Sequence, residues 1–272
     1  MKARAHYLLR EEDDDQVAWE MAAASGAPFD PRDSGKISAW LRLSASTISS
    51  GEYDTVVDVL NSNPTSQADT DRKPAATTAA NGLPVMQFDG SDVLAWPLIA
   101  ANNSTTKIGW AFWYNPASVA AVTQELLCVF DGTGGASARK LLFYQFGSAI
   151  NAAAYINATD GRNGATASSV VAVGTWVWMR LAYDSSLGGD TNLKIYLNGS
   201  SQSLTYSNVG AGGTLTTLPS VTGNALIGSL ANTDAGSGPL LNGALIGPNV
   251  FVLNADLTAA EEASLMNFEK PT

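Results

Sequence analysis

Apolar residues recur with two different periods along the chain, and the change of period divides it. Near the N-terminus, Val17, Met21 and Ala24 are spaced for one helical face, with Trp19, Ala22 and Ala23 flanking them. Five acids, Glu11, Glu12, Asp13, Asp14 and Asp15, stand where a helix start favours negative charge, and Ser25-Gly26 before Pro28 is a stop signal. The spacing predicts a helix over residues 11–24, too poor in apolar surface to stand alone. From Ile37 onward the dominant period is two. Strands are predicted over residues 37–43, 56–60, 85–88, 108–114, 126–130, 141–146, 152–156, 170–173, 176–183, 193–197, 225–227 and 244–253. Turn signals such as Asp89-Gly90, Asp160-Gly161 and Asn198-Gly199 punctuate them, and residues 61–83, rich in Pro, Thr, Ala and Asn, read as a long exposed loop. A last helix is predicted from Thr258, where Thr258 and Glu261 fit a capping box before Leu265, Met266 and Phe268.

Many short strands at this spacing predict an all-β, antiparallel jelly-roll sandwich with an N-terminal helical arm and a short C-terminal helix. Residues 1–35 are assigned to the arm and residues 36–272 to the β domain. Alternation also assigns faces. Ile108, Trp110, Phe112 and Tyr114 share one face, as do Val177, Met179, Leu181 and Tyr183, and Leu193, Ile195 and Leu197. If these strands share a sheet, Trp113, Trp178, Arg180 and Tyr196 lie together on its outer side. Aromatic rings beside an Arg suit sugar rings, which offer C–H groups to the ring and hydroxyls to the guanidinium. The simpler reading is that the 61–83 loop or another subunit covers this patch.

Composition narrows the function classes. Only 15% of residues are charged, and 15 basic against 25 acidic residues give a net charge of −10. Nucleic acid and anionic membrane are therefore not expected partners. The chain has no apolar run long enough to span a bilayer. Its first residues turn acidic where a secretion signal needs an apolar stretch, so none is expected. One cysteine, Cys128, excludes an intrachain disulfide, and one histidine, His6, leaves little for a His-based triad or metal centre.

Four stretches carry a family resemblance. Gly174-Thr-Trp-Val-Trp178-Met-Arg-Leu-Ala-Tyr183-Asp184 leads into Leu193-Lys-Ile-Tyr-Leu-Asn198-Gly199. Ala225-Leu-Ile-Gly228 then precedes Leu241-Asn-Gly-Ala-Leu-Ile-Gly-Pro-Asn-Val-Phe251, and Leu257-Thr-Ala-Ala-Glu261-Glu262 closes the chain. In this order they resemble the laminin G-like branch of the concanavalin A-like jelly rolls. Upstream, Arg72-Lys-Pro74, Asn81-Gly-Leu-Pro-Val85 and Phe88-Asp-Gly90 are similar to the lead-in of phage and bacterial members. The departure is the charge-free stretch 244–248, where the family often carries acidic and Arg residues.

Jelly-roll glycoside hydrolases that resemble laminarinases set Glu-x-Asp-x-x-Glu on one strand, and none of the eight Glu here forms it. Glu125 stands alone between residues 53 and 260 among the glutamates. A non-enzymatic protein is therefore expected, with no cofactor. Calcium is the family's usual ion, and Asp89, Asp92, Asn232 and Asp234 could supply oxygens, although two Asx turns are the simpler reading. The function expected is a bacteriophage virion structural protein, a capsid decoration, head fibre or tail appendage displaying a lectin-like domain for host attachment. It would be made in the host cytoplasm and carried in the virion as a homo-oligomer, with Val17, Trp19 and Met21 attaching the arm to other virion proteins. A carbohydrate-binding module or bacterial adhesin is the alternative, and a glycoside hydrolase the third reading.

Overall fold

Strands that alternate apolar and polar residues bury one face each, and two sheets can pack those faces together. The computed structural model describes residues 29–65, 67–97, 103–130, 139–157, 160–221, 224–229 and 240–272. In chain order the strands are β1 (Ile37–Ser49), β2 (Glu52–Asp58), β3 (Ala75–Thr78), β4 (Pro84–Asp89), β5 (Leu94–Trp96), β6 (Lys107–Asn115), β7 (Thr123–Phe130) and β8 (Arg139–Phe146). They continue as β9 (Ala149–Tyr155), β10 (Gly161–Ala165), β11 (Val177–Asp184), β12 (Leu193–Leu197), β13 (Ser200–Ser201), β14 (Thr205–Val209), β15 (Ala225–Ile227) and β16 (Asn242–Leu253). A nine-stranded sheet runs β1-β2-β3-β4-β16-β6-β11-β12-β13, with β1 also pairing β16. A seven-stranded sheet runs β14-β10-β9-β8-β7-β15-β5. The all-β jelly-roll-type sandwich read from the sequence is the fold observed.

The core lies where alternation places it. Ile108, Trp110, Phe112 and Tyr114 of β6 and Val177, Met179, Leu181 and Tyr183 of β11 face the seven-stranded sheet. From that sheet come Leu127, Val129, Leu141 and Phe143, and Phe143 meets Phe112 edge-on at 5.8 Å between ring centroids. Each such side chain, fully buried, contributes about 2 kcal/mol. Asn198-Gly199 makes the two-residue turn between β12 and β13, both at positive φ (50° and 78°), as a primed hairpin turn requires.

Elements that alternation misread are those whose apolar residues are few or serve an end. Residues 170–173 form no strand. Val170 and Val171 donate their N–H groups to the Ser148 carbonyl, Val171 plugs the core and Val173 faces solvent. Conversely β10 (Gly-Arg-Asn-Gly-Ala) and β14 (Thr-Tyr-Ser-Asn-Val) lack an apolar alternation and are held by backbone pairing, Asn163 opposite both Ala153 and Ser207. The 61–83 stretch contains a short 3-10 turn, Thr70–Arg72, and β3. The helix expected over residues 11–24, with Val17, Trp19 and Met21, lies outside the described residues, as does His6. At the described start of the chain, Phe29 already packs edge-on against Phe268, at 6.0 Å.

One helix, α1 (Ala259–Asn267), closes the chain with the predicted capping box: Thr258 Oγ1 accepts from the Glu261 N–H, and Glu261 Oε2 accepts from the Thr258 N–H. It lies on the outer side of the nine-stranded sheet, where Leu257, Leu265, Met266 and Phe268 join Trp40, Trp113, Trp178 and Phe251 in a second apolar cluster. Among the described residues no helix is long and apolar enough to cross a membrane.

Candidate functional site

The aromatic platform expected on the nine-stranded sheet exists, but as packing. Trp113, Trp178 and Arg180 do share its outer side, and each is buried to 2% exposure or less. Trp113 and Trp178 meet edge-on at 5.7 Å. Glu262 of α1 then ties the group down. Its Oε1 accepts from Trp178 Nε1 at 3.1 Å, and its Oε2 accepts from Arg180 Nε at 3.0 Å and Nη2 at 2.7 Å. Arg180 also pairs with Asp256, and its guanidinium stacks over the half-buried Tyr196 ring at 3.5 Å. Burial works against the Arg180 charge, but Glu262 and Asp256 outweigh it and hold the group protonated. Trp113, Trp178, Arg180 and Tyr196 are thus corrected from a sugar platform to a helix-docking site. The cover is α1 rather than the 61–83 loop, because an acid on the helix answers the buried guanidinium.

The calcium candidates divide in the same way. Asp89 Oδ1 accepts from the Ser91 N–H at 2.8 Å and the Ser91 hydroxyl at 2.7 Å, which is an Asx turn. These bonds hold the Asp89 carboxyl below its ordinary range. Asp92 is buried and accepts from the Asp89 N–H at 2.8 Å; burial pushes its carboxyl up to about 7. Among the described residues no three acids, cysteines or histidines come together to hold a metal. Asn232 and Asp234 lie outside the described residues.

The opposite outer face, on the seven-stranded sheet, carries a different set. Residues directly opposite one another across a ladder share a face. Glu125 of β7 stands opposite Tyr144 of β8, Tyr144 opposite Asn151 of β9, and Asn151 opposite Ala165 of β10. The next row outward is Thr123, Phe146 and Ala149, and the next inward is Cys128, Leu142, Ala153 and Asn163. Phe146 is 49% exposed. Gly147 follows it at φ 62°, and with Ser148 forms the two-residue turn that carries the chain into β9 and leaves the Phe146 ring at the rim. Tyr144 donates its hydroxyl to Asn163 Oδ1 at 2.9 Å. Burial, and then the negative charge of Glu125, push the Tyr144 hydroxyl up to about 12, so it stays a donor. Asn151 is 6% exposed and its Nδ2 has no hydrogen-bond partner. A buried amide left so costs about 1–3 kcal/mol.

The surroundings of Phe146 add apolar surface. Val119, Val122 and Val173 are exposed with it, and their loops are hydrogen-bonded together at this end, Gln145 Nε2 to the Ser118 carbonyl and the Gly174 N–H to the Pro116 carbonyl. Four of the five large apolar side chains exposed among the described residues thus gather at one end of the sandwich. Cys128, deeper on the face, is wholly buried, its thiol pushed up by burial and donating to the Ser229 carbonyl at 3.2 Å. It behaves as a small apolar residue, as its place in an apolar strand predicts. The signal missed in the sequence is on β8 itself: Leu142, Tyr144 and Phe146 alternate away from the core, and two of them are aromatic.

No family model matches the sequence, and no curated protein matches it. Solved structures share the sandwich. A Trypanosoma rangeli sialidase in complex with sialic acid aligns over 93% of this chain and 38% of its own at 15% identity and a TM-score of 0.57. The receptor-binding domain of botulinum neurotoxin type G aligns over 84% of this chain and 50% of its own, at 10% identity and 0.56. A botulinum neurotoxin serotype D ligand-binding domain in complex with N-acetylneuraminic acid aligns over 85% and 50%, at 10% and 0.53. The chain therefore spans half or less of the length of these proteins, and at such identity the likeness is one of fold, that of a β-sandwich. The expectation of a non-enzymatic protein is overturned by this comparison. Sialidases contain the same sandwich, so the missing Glu-x-Asp-x-x-Glu pattern excludes one kind of glycosidase and not catalysis as such.

Proposed function

We propose that this chain is a carbohydrate-binding, lectin-like domain whose sugar surface is the outer face of the seven-stranded sheet around Phe146. The observation that carries the reading is the juxtaposition of an exposed ring, Phe146, with the partly buried pair Tyr144 and Asn163. An aromatic face accepts the C–H side of a sugar, while the amide and the phenol supply donors and acceptors for its hydroxyls. Sugars in two of the similar structures, a sialidase and a neurotoxin domain, support the class of ligand. The test is binding of the full chain to an oligosaccharide array. Retention that falls by about tenfold or more in Phe146→Ala and Tyr144→Ala, with the fold intact, is the expected result. Retention indifferent to both variants would place the sugar elsewhere.

The setting rests on the sequence. The ordered motifs and the acidic, helix-patterned arm support display on a bacteriophage capsid or tail through residues 1–35, by way of Val17, Trp19 and Met21, as a laminin G-like appendage of a homo-oligomer. Mass spectrometry of purified virions tests this, and its absence from particles would send the domain to a bacterial adhesin or free binding module.

A further inference from the structure

Phe146 shares its end of the sandwich with three exposed valines, and the loops that carry them are braced from inside the fold. Phe146 is 49% exposed, and Val119, Val122 and Val173 are exposed by 38%, 55% and 53%. The first brace is Gln145, a buried side chain whose Oε1 accepts from the Tyr114 hydroxyl and whose Nε2 donates to the Ser118 carbonyl at 2.7 Å. It holds residues 116–122 against the turn that follows Phe146, so closely that a Cβ added to Gly147 would stand 3.9 Å from the Val119 carbonyl oxygen. Val122 directly precedes Thr123, which lies opposite Phe146 across the ladder of β7 and β8, about 5 Å away between Cα atoms. The second loop is tied down by the Ser169 N–H on Ser148 Oγ at 2.7 Å and by the Gly174 N–H on the Pro116 carbonyl at 2.9 Å. Within it Val171 turns into the core and Val173, two residues on, turns out. Hydrogen bonds thus hold these valines in water, and a ligand meets apolar surface that is already arranged.

Resting on the carbohydrate reading above, we infer that this surface takes a saccharide bearing a methyl group, as a 6-deoxyhexose or an acetylated sugar does, in preference to its fully hydroxylated counterpart. With the C–H side of a pyranose on the Phe146 ring, a substituent at the edge of the sugar extends over Val119, Val122 or Val173. A methyl set there takes apolar surface out of water on both partners, and one such group fully buried is worth about fourfold in affinity. A hydroxymethyl in the same place takes a hydroxyl out of bulk water beside valine methyls, which return it no hydrogen bond. Gain for the one and cost for the other act in the same direction. Phe146 does not make this distinction, since the C–H side of the ring is common to both sugars. It supplies affinity, and the valines supply the choice of substituent.

The experiment titrates the full chain with matched glycosides that differ at one carbon, L-rhamnosides against L-mannosides and L-fucosides against L-galactosides. The deoxy member of a pair that binds is expected to be tighter by about threefold or more. The triple variant Val119→Thr, Val122→Thr and Val173→Thr keeps the shape of the surface and exchanges a methyl for a hydroxyl at each position. It is expected to bring the ratio close to one while the hydroxylated partner binds as before, whereas Phe146→Ala lowers both by about tenfold or more. Equal or tighter binding of the hydroxylated partners, or a deoxy preference untouched by the threonines, overturns this inference; if binding is still lost in Phe146→Ala, the carbohydrate reading stands. Binding of neither class, or binding that survives Phe146→Ala and Tyr144→Ala, overturns both.

Discussion

The two sheets turn their outer faces to different fates, although both carry aromatic residues on alternating positions. On the nine-stranded sheet, Trp113 and Trp178 lie under α1, locked by Glu262 and Arg180. On the seven-stranded sheet, Cys128, Leu142, Ala153 and Tyr155 are buried in a third apolar cluster, and at its end Phe146 stands half exposed beside the partly buried Tyr144. The difference is one of what is stacked on top. The first face closes under a helix with a satisfied ion pair, while the second is buried along most of its length and exposes apolar side chains at the end around Phe146. Aromatic content alone does not tell the two apart.

Breaking the covered face has the largest expected effects. Glu262→Ala leaves the Arg180 guanidinium buried with only the partly exposed Asp256, and should cost about 3–5 kcal/mol by urea unfolding. Trp178→Ala opens a cavity beneath α1 and removes a hydrogen bond to Glu262, for about 3 kcal/mol. Neither should change sugar retention of the remaining folded protein. A sugar defect in folded Trp178→Ala would return the glycan site to the first sheet.

The link between the faces titrates. Asp92 lies in the turn from β4 of one sheet to β5 of the other, with a folded-state pKa raised to about 7 by burial. From about pH 4 to 7 the folded chain holds a proton that the unfolded chain has released, so stability falls as pH rises through that window and is level above it. Asp92→Asn should flatten the fall and gain roughly 2 kcal/mol at pH 8 relative to pH 4. Equal pH profiles for the two proteins would show that Asp92 is ionised in the fold. The smallest stability effect belongs to the open face. Phe146→Ala should change unfolding by less than about 0.5 kcal/mol, because half the ring is already in water, while removing sugar binding. A loss of several kcal/mol instead would mean the ring is covered after all.

Much of this was legible in the chain and some was not. Period-two runs located β6, β8, β11, β12, β15 and β16, since each must bury one apolar face. The capping box located α1 because Thr258 and Glu261 satisfy each other's backbone donors locally. Strands β10 and β14 were not legible, because backbone pairing alone holds their polar sequences in register. Residues 170–173 misled for the converse reason: Val171 is apolar to stop the core's end, not to line a sheet.

By itself the sequence determined the sandwich, the closing helix and which residues of β6, β11 and β12 share a side, because alternation and capping are consequences of near-neighbour geometry. Which outer face would be covered was decided by tertiary structure alone. Glu262 lies 82 residues from Arg180 along the chain, and only the folded path of β16 into α1 brings the two within 2.7 Å. The same holds for the open face, where Tyr144, Asn151 and Asn163 become neighbours through three strands in register, a relation no local pattern encodes.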